Sequence, residues 1–390
     1  MTTALPRRLA ATDALQQLGA FDAVIDARSE SEHALDHLPG AQSWPSLNDA
    51  ERIQVGTLYA QAGAFEAQKA GAALVAANIA RHLTDHVADL PKAWRPLIYC
   101  WRGGKRSGAL ALVLSQVGFQ TTLVEGGYKA FRAALLADLP QQASRLRYRV
   151  ICGPTGSGKT RLLDALAAAG AQVLDLEALA SHRSSVLGLL PGRPQPSQKR
   201  FDTLVWTALH GFDASRPVYV ESESKKVGNL AVPDALMAAM RASPCLDLQL
   251  NDDERVALLL EDYVFFVEQP ALFCERLQAL ESLRGHEVVE GWQKQVHAGA
   301  FERVVRELLI THYDPGYLQS MKRNFAEYAQ AKKIAPADRS AGAMAVLAAQ
   351  ILAGAPDDLI DRMATRAQED AGPPPVAAAS PVSAAAPPFS

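Results

Sequence analysis

Leu97-Ile98-Tyr99-Cys100-Trp101-Arg102-Gly103-Gly104-Lys105-Arg106-Ser107 is the stretch on which the N-terminal half turns. A short apolar run enters a cysteine, a loop with two glycines follows, and an Ala/Leu-rich run leaves it. There Leu110, Val113, Leu114 and Val117 recur at helical spacing. The pattern predicts a strand, an anion-holding loop over residues 101–107 and a helix, with Cys100 at the first loop position. Backbone N–H groups and the positive end of the helix then face the thiol, with Arg102, Lys105 and Arg106 nearby in sequence. Such surroundings favour a nucleophilic thiolate, so Cys100 is the expected catalytic residue, able to carry a transferable group. Cys152, Cys245 and Cys274 lack that setting and read as structural.

Outward from this stretch, Ala23-Val24-Ile25 reads as a strand ending in Asp26-Ala27-Arg28, and His37-Leu38-Pro39-Gly40-Ala41 as a turn. Residues 64–83 are Ala-rich and helical, and residues 121–124 form a strand running into Glu125-Gly126-Gly127-Tyr128. Strands alternating with helices predict an α/β fold with a parallel sheet and ligands at the strands' carboxyl ends. This first domain is assigned to residues 1–140, followed by a basic linker, 141–149, with Arg145, Arg147 and Arg149.

The second domain, assigned to residues 150–368, opens on Val150-Ile151-Cys152 and then Gly153-Pro154-Thr155-Gly156-Ser157-Gly158-Lys159-Thr160. This is a complete P-loop, GxxxxGK[ST], between a strand and a helix. Its glycines let N–H groups point at phosphates, Lys159 neutralises them, and the Thr160 hydroxyl is placed to take Mg²⁺. Val218-Tyr219-Val220 is a further strand, ending in Glu221-Ser222-Glu223-Ser224, where an acidic residue would organise a metal and a water. Asp175, His182, Arg183, Gln198, Glu221, Glu223 and Ser224 are expected to flank or cover the phosphate site, with 182–185 and 195–201 as lid segments. The motif reads phosphate and leaves open whether a nucleotide or another diphosphate binds.

The composition, 48% hydrophobic and 21% charged over 390 residues, suits two globular domains plus a tail. A net charge of −3 means that a nucleic-acid partner would need local basic surface. Lys199, Arg200, Lys322, Arg323, Lys332 and Lys333, with the three linker arginines, are the candidates, and Phe325 and Tyr328 could stack on unpaired bases. Four cysteines form no CxxC pair, and no run reaches the ~20 apolar residues of a spanning helix. No apolar segment follows Arg7 and Arg8, so a cytoplasmic protein without membrane contact is expected. Residues 338–359 read as a last helix. Residues 369–390, rich in proline and alanine, read as a disordered tail.

Asp26-x-Arg28, His37-Leu-Pro-Gly-Ala41, Cys100 and Glu125-Gly-Gly127 together resemble a rhodanese domain over roughly residues 10–139. The resemblance implies a cysteine that carries sulfur as a persulfide, with Asp26 and Arg28 bracing the sheet. Asp36 and His33 depart from the family pattern, at positions expected to lie away from the thiol. The spacing Cys100-x5-Arg106-Ser107 also matches cysteine-dependent phosphatases. With the P-loop added, the chain is similar to the tRNA 2-selenouridine synthase family over about residues 9–353. Further matches are Gln195-Pro-Ser-Gln198, Val220-Glu-Ser-Glu-Ser224 with Gly228, and His312-Tyr-Asp-Pro-Gly-Tyr317. That resemblance implies a tRNA-modifying transferase which replaces sulfur by selenium in wobble 2-thiouridine, using selenophosphate, and geranylates that sulfur from geranyl diphosphate. It implies that Cys100 carries selenium, with no tightly bound cofactor. The competing readings are a phosphatase or sulfurtransferase domain fused to a P-loop kinase, and a binding protein that senses sulfur status.

Overall fold

The computed structural model describes residues 5–183 and 192–354. Its first sheet contains β1 (Arg7–Leu9), β2 (Ala23–Asp26), β3 (Ala41–Ser43), β4 (Pro96–Tyr99) and β5 (Thr122–Val124). The order is β1-β5-β4-β2-β3, with every pairing parallel. Every residue of β4 is buried, as expected of a central strand with helices on both faces. Leu97 and Tyr99 point into a core with Leu135 and Leu139 of the Gly127–Ser144 helix. Ile98 points the other way, onto Leu110 and Leu114 of the Lys105–Val117 helix. Period-two alternation thus serves two cores at once.

Two features differ from the sequence reading. The expected 64–83 helix spans Ala64–His86 and is half of a hairpin whose other arm is Asp49–Ala62. That arm buries no side chain completely and carries no apolar stripe, so periodicity could not reveal it. The expected linker, 141–149, is also shorter. The Gly127–Ser144 helix continues through Pro140, because Leu139 and Ala143 are buried on either side of it. The next strand already begins at Tyr148, which leaves Arg145-Leu146-Arg147 as the connection.

The second sheet comprises β6 (Tyr148–Cys152), β7 (Gln172–Leu174), β8 (Val218–Glu221), β11 (Cys245–Leu248) and β12 (Lys332–Ile334), while β9 (Lys226–Val227) and β10 (Leu230–Ala231) form a small antiparallel pair. The order is β12-β11-β6-β8-β7, again all parallel. The P-loop leaves the central strand, β6. Between β11 and β12 a cluster of short helices packs around Phe266, Phe273, Leu277 and Trp292. The last described helix is Ala341–Ala353, capped by Ser340, and it lies on the Lys159–Ala168 helix. Residues 184–185 of the expected lid, the end of the expected last helix and the 369–390 tail lie outside the described residues.

The domains meet along the Gln198–Gly211 helix of the second. Trp206, 1% exposed, enters the first domain's core, and its Nε1 donates to Asp138 (2.8 Å). Arg132 pairs with Asp202, and Ser197 Oγ donates to the Leu35 carbonyl.

Candidate active sites

Cys100 directly follows β4, and its Sγ accepts a hydrogen bond from Ser107 Oγ at 3.1 Å. The Cys100 carbonyl accepts from Tyr128 N (2.8 Å) and the Trp101 carbonyl from Lys129 N (3.1 Å). The loop is therefore fastened to the start of the Gly127–Ser144 helix. Gly127 has φ +59, and a Cβ there would lie 2.2 Å from the Cys100 oxygen, so only glycine permits this contact. The thiol is 3% exposed, whereas Trp101, Arg102, Gly104 and Lys105 are exposed and Gly103 partly so. The candidate nucleophile thus sits one layer beneath an exposed loop.

A chain of contacts supports the loop from behind. Arg28 is clamped by Asp26 (Nε–Oδ1 2.9 Å, Nη2–Oδ2 2.6 Å) and donates to the Asp36 carbonyl. Its guanidinium lies 4.1 Å from the centre of the Tyr128 ring, and the other end of the chain is Trp101, stacked on Tyr128 at 5.5 Å. Tyr128 OH donates to Asp36 Oδ2 (2.7 Å), which also accepts from Thr203 Oγ1 (3.2 Å). Burial pushes the Asp36 carboxyl above its usual range, against the pull of these two hydroxyls. Asp36, expected to lie away from the thiol, makes no contact with it and reaches the cysteine loop indirectly, through Tyr128, whose ring is stacked on Trp101. Arg106 differs from the phosphatase expectation: its Nη1 and Nη2 both engage Glu32 (2.7 and 3.4 Å), so they do not stand free for phosphoryl oxygens.

In the P-loop, Gly153, Gly156 and Gly158 all have positive φ, and a Cβ on Gly153 would meet Ser157 Oγ at 2.5 Å. Lys159 Nζ donates to the Gly153 carbonyl (2.8 Å). The adjoining cleft, about 610 Å³, is lined by Lys159, Thr160, Glu177, Arg183, Glu221, Glu223 and Ser224 among others. Carboxylate oxygens of Glu177, Glu221 and Glu223 lie within 4.8 Å of one another. Glu221 is 1% exposed, and its Oε1 has no hydrogen-bond partner among the described residues. Burial, with Glu177 and Glu223 beside it, pushes its carboxyl well above the usual range. Three such groups do not all ionise without a compensating cation. An all-oxygen set with one orphaned acceptor suits Mg²⁺, and Thr160 lines the same cleft.

An apolar recess of about 50 Å³ opens beside this cleft. Thr155, Leu259, Tyr263 and Tyr313 line both spaces, and Phe266, Phe273, Val305 and Leu308 line the recess alone.

Other expected residues have different places. Asp175 caps the Leu176–Ala180 helix, accepting from Ala178 N (2.8 Å), and so positions Glu177. Gln198 bonds Asp202 and both backbone groups of Ala231. His182 is buried, and Arg183 donates to the Asp262 carbonyl and lies over the Tyr263 ring. Arg145 and Arg147 are not free cations for RNA: they hold the carbonyls of Leu209, His210, Phe212 and Ser215, tying the connection to the end of the Gln198–Gly211 helix. Arg149 is half-buried on β6, and Arg200 is drawn to the His37 carbonyl at the domain interface. Lys199, Lys322, Arg323, Lys332 and Lys333 are exposed. Phe325, proposed to stack on bases, is instead buried in the second domain's core, with Tyr328 packed against it. Sequence reasoning missed Glu177, and it missed Arg255, which grips the Thr155 carbonyl (2.8 Å) and Asp314 (2.6 Å) from a buried position. It singled out the motif holding Tyr317 without its role, which is to accept a hydrogen bond from Gly153 N (2.6 Å).

Fold and sites together define a two-domain protein in which a rhodanese-like domain bearing the cysteine loop is docked on a P-loop domain. The Rhodanese-like domain profile matches residues 10–134, and that of the tRNA 2-selenouridine synthase AAA domain matches residues 146–287. The tRNA 2-selenouridine synthase of Marinobacter nauticus is 36% identical over 247 residues, 62% of this chain and 65% of that one, just short of two thirds of its length. That of Nitrosomonas europaea is 34% identical over 73% of this chain and 76% of its own. That of Aeromonas salmonicida is 31% identical over 76% and 87%. The chain belongs to the tRNA 2-selenouridine synthase family.

Proposed function

We propose that this protein replaces sulfur by selenium in the wobble 2-thiouridine of tRNA, taking selenium from selenophosphate, and geranylates the same sulfur from geranyl diphosphate. The observation that carries the second activity is the phosphate cradle sharing a wall with an apolar recess. A ligand with a diphosphate head and a hydrocarbon tail matches both halves in chemical character, the recess of about 50 Å³ receiving part of the tail, whereas the polar base of a nucleotide does not match an apolar lining.

In this reading, the P-loop N–H groups and Lys159 hold the diphosphate. Glu177, Glu221, Glu223 and Thr160 would hold a Mg²⁺ ion, which supplies charge neutralisation at the phosphates. The thiouridine sulfur attacks C1 of the geranyl group, the C1–O bond breaks, and diphosphate leaves with the electron pair. The resulting thioether is a better leaving group at C2 of the base, which a selenium nucleophile then displaces as geranylthiol. Cys100 serves the selenium half of the reaction, from beneath the loop that would receive the phosphate-like donor.

The test is nucleoside mass analysis of tRNA incubated with the full chain, selenophosphate and geranyl diphosphate. Wild type is expected to yield selenouridine. Cys100→Ala is expected to stop at geranylthiouridine, and Lys159→Ala to leave thiouridine unaltered. Unmodified tRNA with wild type, or full geranylation by Lys159→Ala, would overturn the proposal.

A further inference from the structure

A second cleft, of about 820 Å³, opens beside Pro154, and the cysteine loop contributes nothing to it. Asp247 and Gln249 of the β11 region, Lys333 of β12, and Lys322 and Arg323 at the end of the Asp314–Asn324 helix line it, with Tyr328 as an aromatic wall. Asp247 is 8% exposed. Its Oδ2 accepts from Gln249 Nε2 (2.7 Å), and its Oδ1 is buried without a hydrogen-bond partner among the described residues. Lys333 of β12, in register with Asp247, offsets its charge without bonding Oδ1, so a water or a ligand is left to supply the donor. Lys322, Arg323 and Lys333 are exposed, and none of them forms an ion pair among the described residues.

The chemistry of the floor is specific. A carboxylate oxygen accepts only, and the neighbouring amide nitrogen has a second N–H to donate. The pair therefore complements a ring edge with an N–H beside a carbonyl, which uracil presents at N3 and O4 and guanine at N1 and O6; of these two, the thiouridine substrate of the proposed reaction selects uracil. Cytosine and adenine place a bare ring nitrogen there, which a carboxylate repels. Cations at the rim suit the flanking phosphates, and the tyrosine wall suits a base taken out of its stack. We propose that this cleft binds an extruded uracil-type base of the RNA substrate, its N–H on Asp247 Oδ1 and the adjoining phosphates on Lys322 and Arg323. The inference rests on the reading of the protein as an RNA-modifying enzyme. Phe325 lines both this cleft and the P-loop cleft, so a base held here lies next to the phosphate cradle.

The test is equilibrium binding of the full chain to three RNA hairpins that differ only in one loop base, U, C or G. Wild type is expected to bind the U hairpin about tenfold or more tighter than the C hairpin, as a direct base-edge contact does. Asp247→Asn, whose amide offers both a donor and an acceptor, should bring U and C within about twofold. Gln249→Leu, at an exposed position that spares folding, should also reduce the ratio. Lys322→Gln with Arg323→Gln should weaken all three hairpins alike and flatten the salt dependence. A U-to-C ratio unchanged in both Asp247→Asn and Gln249→Leu overturns the proposal, and equal wild-type affinity for U and G overturns the uracil assignment. Wild type that binds U and C equally defeats this inference alone, and wild type that binds no hairpin defeats the RNA-modifying reading as well.

Discussion

Thr203 of the second domain donates its hydroxyl to Asp36 of the first (3.2 Å), on the same carboxylate oxygen that accepts from Tyr128 (2.7 Å). One side chain therefore holds the domain interface and the ring on which Trp101 is stacked. Asp36→Ala would leave two hydroxyls without their acceptor, at a cost of about 1–3 kcal/mol. Thr203→Val removes one hydrogen bond, worth about 1 kcal/mol. Calorimetry should give a larger fall in Tm for Asp36→Ala than for Thr203→Val, and only Asp36→Ala should alter the Trp101 fluorescence. Equal Tm losses would show that Asp36 does not bridge the two domains.

Gly127→Ala tests the fastening of the cysteine loop. The added Cβ would meet the Cys100 oxygen at 2.2 Å and Gly103 N at 2.5 Å, at a φ of +59. Strain of about 1–3 kcal/mol is expected, with the loop displaced. Alkylation of Cys100 by a thiol reagent should change rate at least severalfold, while diphosphate binding at Lys159 should be unaffected. An unchanged alkylation rate would separate the loop's shape from Gly127.

The carboxylate cluster makes a prediction with a sign. Burial, with Glu177 and Glu223 beside it, raises the folded-state pKa of Glu221 above its unfolded value. Its contribution to stability is therefore present below the unfolded pKa of about 4.5 and is lost as pH rises towards the folded value. Glu221→Gln should raise Tm near pH 7 by about 2–4 °C, the change that ~1 kcal/mol produces in a domain of this size. It should bring no gain at pH 4. Mg²⁺ should stabilise wild type and not the variant. Mg²⁺ stabilisation that survives the substitution would remove Glu221 from the ion site.

His37 behaves in the opposite sense. Burial lowers its pKa to about 4, against the hydrogen bond to the His33 carbonyl and helped by the nearby Arg200. Between the unfolded value of about 6.5 and the folded value of about 4, the unfolded chain binds the extra proton. Stability carried by His37 is thus complete above pH 6.5 and is lost as pH falls towards 4. The difference in unfolding free energy between wild type and His37→Gln, measured by denaturant titration, should shrink or reverse across that window. A constant difference would mean that His37 does not titrate in this way.

The two sites were legible for a local reason. A strand, a glycine loop and a helix N-terminus are contiguous, so Cys100 and Lys159 reveal their surroundings within a dozen residues. Arg106 and Arg145 show the limit of that reading. Both looked like free cations, and both are occupied by groups far away in the chain, Glu32 and the carbonyls near residue 210. Glu177 carried no signal, because its meaning depends on Glu221 and Glu223, more than forty residues later.

The amino-acid order alone determined both parallel α/β domains, the loop that carries the candidate nucleophile and the glycine-rich P-loop, because glycine backbone freedom and hydrophobic periodicity act between near neighbours. Only the tertiary structure decided that Asp36 joins the domains, that three glutamates share one space, that an apolar recess adjoins the phosphates and that Asp247 keeps an unmatched oxygen. Each of these is a relation of distance and burial between segments that no sequence spacing encodes.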